Sequence, residues 1–366
     1  MLRSFQSEKK TDAEIATALK QVELTQQLTR SRMNGLVSFV AGPLSTEQIY
    51  VMEARSADLI PPESDLPQTP APDAAAQKSL LDKAIAYVTR TYSQLPALAA
   101  TKTTLRFQDN TEALSSSSGI QGGAKDVVTA SGFSNAPSYI HYINSTETAV
   151  TSAHGLEPLP ADKSKVQWGA NAMIALKEPD PNLSVVVREV QAAGGFTWLR
   201  WETINGRTAS VYSFTVPEGK TRYALNVCCF PKIKQTGVAN FYTAMTAGTL
   251  GGGGSGGGVS GNFQTNTEWH NFKTTAPYHG RIFIDAETGI VVRLIVESDL
   301  NASDLVHQLD TRVDYGPVKV ANAMLVVPVK TFVNTVVVPH GDSGAGGYTT
   351  RTTLFTSEYK DYRQAQ

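Results

Sequence analysis

The chain is poor in the residues that carry most covalent and metal chemistry. Among 366 residues there are two cysteines, Cys228 and Cys229, so a disulfide framework is excluded. Adjacent in an extended stretch, their side chains point to opposite faces, and they read as two small buried hydrophobes rather than a strained vicinal disulfide. Charge of either sign is also lacking in excess, with 32 basic against 33 acidic residues and a formal net charge of −1. That balance gives no field to draw in phosphate backbones or anionic lipid, so no nucleic-acid partner is expected. No apolar run approaches the roughly 18 residues of a membrane span, so no transmembrane segment is expected. The first ten residues, MLRSFQSEKK, contain no apolar core of a secretory signal. The expected compartment is periplasmic or extracellular if that start is processed or incomplete, and otherwise cytoplasmic.

Strand signals are abundant instead. Tyr278–Ile284 and Ile290–Val296 flank the turn Asp285–Gly289 as an antiparallel hairpin. Its facing is left open, because a one-residue slip exchanges the two faces. A second hairpin joins Phe196–Ile204 to Arg207–Val216 through Asn205-Gly206. With a two-residue loop, Trp201 faces Ser210 and Leu199 faces Tyr212, which puts Leu199, Trp201, Tyr212 and Phe214 on one inward side. Further strands are expected over 101–107, 139–143, 147–150, 310–315, 317–320, 325–338 with a break near Pro328, and 348–359. A one-sided sheet of this kind needs a cover of helices, a partner or a ligand.

Helical patterning supplies candidate covers. Thr11 with Glu14 forms a capping box, and Ile15, Leu19, Val22 and Met33 continue one stripe to Gly35. Ser45 with Gln48 opens a second helix carrying Ile49, Met52 and Ala57 up to Pro61, so residues 1–60 read as a helical hairpin or arm. Residues 61–72, PPESDLPQTPAP, form a proline-rich extended linker. Asp73 caps a third helix through Leu80, Leu81, Ala84, Ile85 and Val88, and Asp180 caps a fourth through Leu183, Val186, Val187 and Val190. Residues 73–366 then form the helix-plus-sheet domain, and the fold class is α+β.

Catalytic and metal motifs are weak. Ser255 formally matches a nucleophile elbow, but it lies inside GGGGSGGG, where a flexible loop is the better reading. Glu268, His270 and His279, or His307 with Asp310, do not have metal-ligand spacing, and Asp285 and Glu287 fall where a tight turn wants polar residues. No metal, cofactor or catalytic set is expected. The aromatic set that includes Trp198, Trp201, Tyr212 and Phe214 is either core or the lining of an apolar site.

The stretches FTWLRWETINGRTASVYSFTV (196–216) and YHGRIFIDAETGIVVRL (278–294), with the strand pair around Tyr315-Gly316 and Pro328, resemble the strand series of uncharacterised exported bacterial proteins. Those proteins are related to the LolA/LolB-like lipoprotein-carrier fold. The resemblance implies a curved antiparallel half-barrel plugged by helices, non-enzymatic, with a lipid or acyl-chain ligand. The expected function is a cell-envelope or secreted protein holding an apolar ligand or an extended peptide, with Leu199, Trp201, Tyr212 and Phe214 as its ligand-binding residues. The alternative is a structural or assembly protein whose N-terminal arm self-associates by docking onto a neighbouring subunit. An open cavity at those four residues favours the carrier, and a filled one favours assembly.

Overall fold

The computed structural model describes residues 1–108, 140–152, 175–176, 181–234, 266–301, 304, 306–337 and 351–365. The Ser/Gly stretch 115–123, the glycine-rich segments 250–261 and 340–347, and with them Ser255 and His340, lie outside the described residues, as do the side chains of Cys228 and Cys229.

Twelve strands occur among these residues: β1 (Leu98–Gln108), β2 (His141–Ser152), β3 (Ala175–Leu176), β4 (Thr197–Ile204), β5 (Arg207–Val216), β6 (Ala224–Lys234), β7 (Asn266–Thr275), β8 (Tyr278–Asp285), β9 (Val291–Ser298), β10 (Val306–Val320), β11 (Ala323–Val337) and β12 (Arg351–Gln364). Nine of them make one open antiparallel sheet in the order β2-β1-β12-β11-β10-β9-β8-β5-β4, and β3-β6-β7 make a small second sheet. Consecutive strands pair antiparallel from β8 through β12, as a meander of turn-punctuated apolar runs requires. The fold is α+β with a dominant antiparallel sheet.

Bulges decide which side chains share a face. Asn205 (φ 51°) and Gly206 (φ 79°) both adopt the left-handed conformation that a primed two-residue turn demands, and Trp201 lies opposite Ser210. Leu199 is not opposite Tyr212, however. The ladder skips Leu199, so Trp198 takes that position and Trp198 and Trp201 fall on one face although three residues apart. Near Pro328 the chain does not break either, because β11 runs on as one strand with Val329 as the extra residue between Pro328 (opposite Tyr315) and Lys330 (opposite Asp314).

Helix boundaries differ from the periodicity in informative ways. The single stripe from Thr11 to Gly35 is two helices, α2 (Asp12–Lys20) and α3 (Arg30–Val37), preceded by α1 (Leu2–Ser7). Thr11 does cap α2 through the reciprocal box with Glu14. The next helix, α4 (Pro43–Arg55), takes its cap from another helix: the Asp12 carboxylate accepts from the Leu44 and Ser45 amides at 2.9 Å each. Asp73 caps α5 (Ala74–Arg90) as expected, accepting from Ala76 N at 2.7 Å. The helix α6 (Leu183–Ala193) starts after Asn182 rather than Asp180, because the Asn182 side chain accepts from Val185 N.

The two faces of the main sheet are covered differently. On one face α5 and α6 lay Ala84, Val88, Leu183, Val186, Val187 and Val190 onto Tyr212, Phe214, Tyr278, Ile282, Leu294 and Val313, the largest core. Each fully buried side chain of this size contributes about 1.5–3 kcal/mol. On the other face α4 and the turn after it set Val51, Ala54 and Ala57 against Phe107, Phe332 and Leu354. Helices α1 to α4 also enclose a small core of their own, built on Ile15, Leu19, Met33 and Ile49. The proline-rich segment passes between the faces at the β4 edge, where Trp201 Nε1 donates to the Pro70 carbonyl at 3.0 Å. No helix among the described residues is long and apolar enough to cross a membrane.

Candidate functional site

The structure divides the four sequence-derived ligand residues between core and surface. Tyr212 and Phe214 are 2 % and 4 % exposed in the core under α5 and α6. Tyr212 Oη donates to the Gln77 carbonyl at 2.8 Å, which fastens α5 to β5, and Phe214 packs edge-on against Phe196 and Tyr278. Trp201 is half-buried under Pro70, edge-on to Trp198. Leu199, on the bulge, is 40 % exposed. On α6, Glu189 accepts from Tyr278 Oη and from the Arg222 amide, both at 2.8 Å, and so seals the same face from below. Burial pushes the Tyr278 hydroxyl far above its ordinary value, with the Glu189 carboxylate reinforcing it.

Space opens instead toward the opposite end of that face, beside β1 and β2. A cleft of about 40 Å³ is lined by Tyr92, Tyr315, Tyr359 and Tyr362, by Leu95 and Leu98, and by Val150 and Ser152 of β2. A local irregularity in β12 makes it aromatic. Between Thr101 and Ala99 the partner strand advances from Lys360 to Arg363, and Asp361 there has φ 53°. The extra residue brings Tyr359 and Tyr362 to one face in the way that Leu199 aligns the two tryptophans. Tyr362 Oη donates to the Pro328 carbonyl at 2.5 Å, and Tyr92 meets Tyr315 edge-on with ring centroids 5.8 Å apart. A water needs about 10–15 Å³ of such space, so the cleft has room for about three waters.

The strand that borders this cleft is an edge. β2 pairs with β1 from His141 to Ser152, and no other strand of the described residues lies on its outer side. Its side chains from Asn144 to Thr151 are mostly exposed. At its far end the Tyr142 amide donates to Glu47 Oε1 of α4 at 2.8 Å, so α4 shields that end, while no strand of the described residues covers the end at the cleft. An exposed edge offers a ladder of backbone donors and acceptors to an extended chain.

The face under α4 is charged at its centre. Asp314 stands opposite Arg293 at 2.6 Å and beside Arg312 at 2.8 Å, and all three are buried. Burial alone would raise the Asp314 carboxyl, but Arg293 and Arg312 together hold it well below the usual carboxylate range. Arg312 also donates to the Ala57 carbonyl and Arg281 to the Asp58 carbonyl, at 3.1 and 2.6 Å, which binds the turn after α4 to the sheet. At the Asp285 turn, Asp285 Oδ1 accepts from the Glu287 and Thr288 amides, so this carboxylate serves the turn.

The chain matches no family model, no curated protein and no solved structure. The cleft residues Tyr359, Tyr362 and Tyr315 carry no motif. The one available signal was the three-residue spacing of Tyr359 and Tyr362 in a strand, which shares a face only if a bulge intervenes.

Proposed function

We propose that the protein is a non-enzymatic binding protein that takes an extended peptide segment along the β2 edge, with one apolar or aromatic side chain seated in the tyrosine cleft. The observation that carries this reading is that Val150 and Ser152 line the cleft and also belong to β2, whose outer side no other strand of the described residues occupies, so a pocket and a sheet edge meet at one place. Backbone pairing would supply affinity and the cleft would supply the choice of side chain. In this reading the main sheet is a half-barrel and α5 with α6 its plug. A lipid or acyl chain is a poorer guest, because the face it would occupy is filled by Tyr212, Phe214 and the helices above them. The cell-envelope location rests on the resemblance of the strand series.

Screening a library of fluorescent ten-residue peptides, each with a central Leu, Tyr, Pro or Asp, tests the proposal. Selection of β-prone sequences with an apolar or aromatic centre supports it. Equal retention of Asp-centred sequences, or one lipid per protein in organic extracts, contradicts it.

A second reading is favoured by one observation: helices α1 to α4 have a core of their own and meet the sheet through a separate patch. Such a unit on a proline-rich tether can seat on a neighbouring copy as well as on its own sheet. Light scattering of the full chain across concentration checks this, and a monomer at every concentration removes it.

A further inference from the structure

The charged face holds an arrangement that peptide binding does not use. Asp310 stands directly opposite Glu297 across the β9–β10 ladder, and Glu297 opposite His279 across β8–β9, so two carboxylates share one row. Such opposition is destabilising when both are ionised. Asp310 is 7 % exposed, and the Gln308 side-chain amide donates to it.

A third carboxyl belongs to Asp58 of the N-terminal unit, whose main chain Arg281 ties to this row. Its residue keeps some exposed surface, but its Oδ1 is sealed from solvent and has no hydrogen-bond partner among the described residues. The nearby cations are committed elsewhere. Arg281 donates to the Asp58 main-chain carbonyl at 2.6 Å and to Glu297 at 2.9 Å. Arg312 is divided between the Ala57 carbonyl and Asp314, and Arg293 is paired with Asp314. His279 lies between Glu297 at 3.1 Å and Asp299 at 2.9 Å, and Lys330 faces Glu53 at 3.8 Å. A buried carboxyl left without its own cation is lowest in energy as the neutral acid.

We propose that Asp58 and Asp310 form a proton-controlled latch between the N-terminal helical unit and the sheet. With both carboxyls neutral, the turn after α4 lies on the charged face; with both ionised beside Glu297, the turn lifts off it. Burial raises both groups above their ordinary 3.8, Asp310 to about 7; Glu297 adds to the rise of each, and Asp58 to that of Asp310. The seated form therefore binds more protons, so seating is strongest in acid and weakens as pH rises from about 4 to about 7. Asp314 acts in the opposite sense only in stronger acid, because its two arginines keep it ionised below 3.8. The latch concerns the seat itself and does not rest on the peptide-binding reading.

Hydrogen exchange of the full-length chain, corrected for intrinsic rates, is the test. Peptides covering residues 43–60 should lose about tenfold protection between about pH 5 and about pH 8, while β8 and β9 stay protected. In Asp58→Asn with Asp310→Asn, which mimic the neutral acids, the protection should persist at both pH values. Glu297→Gln removes a charge that raises both carboxyls, so their seated values fall toward 3.8 and the loss of protection between the two pH values should shrink. Equal protection of the wild type at both pH values overturns the latch, as does an undiminished loss in Glu297→Gln or in the double variant. Should the double variant not fold, the wild-type loss and its reduction in Glu297→Gln still decide the matter.

Discussion

Arg293 on β9 and Asp314 on β10 occupy opposite positions in the ladder and share an ion pair of 2.6 Å on a buried sheet face. Arg312 completes the group from two residues away on β10. Asp314→Asn would leave two buried guanidinium groups without their anion, and a loss of about 3–5 kcal/mol is expected. Urea unfolding at neutral pH measures it.

The same group sets an acid limit. Because the Asp314 carboxyl is depressed in the fold, its contribution is present above the unfolded value of 3.8 and disappears as pH falls through the folded one. Stability of the wild type should drop steeply in that acid window, and the drop should shrink in Asp314→Asn.

Strand alternation groups Phe214 with Leu199, yet the two should respond in opposite ways. Phe214→Ala opens a hole in the core between α6 and β8 and should cost about 3–5 kcal/mol. Leu199→Ala, on the exposed bulge, should stay within about 0.5 kcal/mol of wild type. Parallel thermal melts compare the two.

Gly280 is required by the ladder itself. A Cβ there would lie 2.0 Å from the Ile295 carbonyl oxygen and 2.8 Å from the Phe214 ring, and neither can yield without moving β9 or the core. Gly280→Ala should therefore cost more than about 3 kcal/mol or prevent folding, as circular dichroism with chemical denaturation will show.

Much of the architecture was legible in the sequence because its signals are local. The Asn205-Gly206 turn, the Asp285 turn, the Thr11 box and the Asp73 cap each depend on residues within a few positions. The α4 cap was not legible, since Asp12 lies 32 residues from Leu44. Bulges were not legible either, and they decide the site: one extra residue at Leu199 removes it from the inward face, and one at Asp361 gathers Tyr359 and Tyr362. The charged row on β8, β9 and β10 reads in sequence as ordinary strand alternation, and its burial follows only from where α4 lands.

An extended segment is proposed to pair with β2 and to anchor in the tyrosine cleft. The most direct measurement is amide exchange of β2 with and without a peptide selected by the library, in wild type and in Val150→Trp, which fills the cleft. New protection is expected between Thr146 and Ser152 in the wild type, with at least about tenfold weaker binding in Val150→Trp. Unchanged exchange along β2 with the peptide bound, or equal affinity of the two proteins, would contradict it.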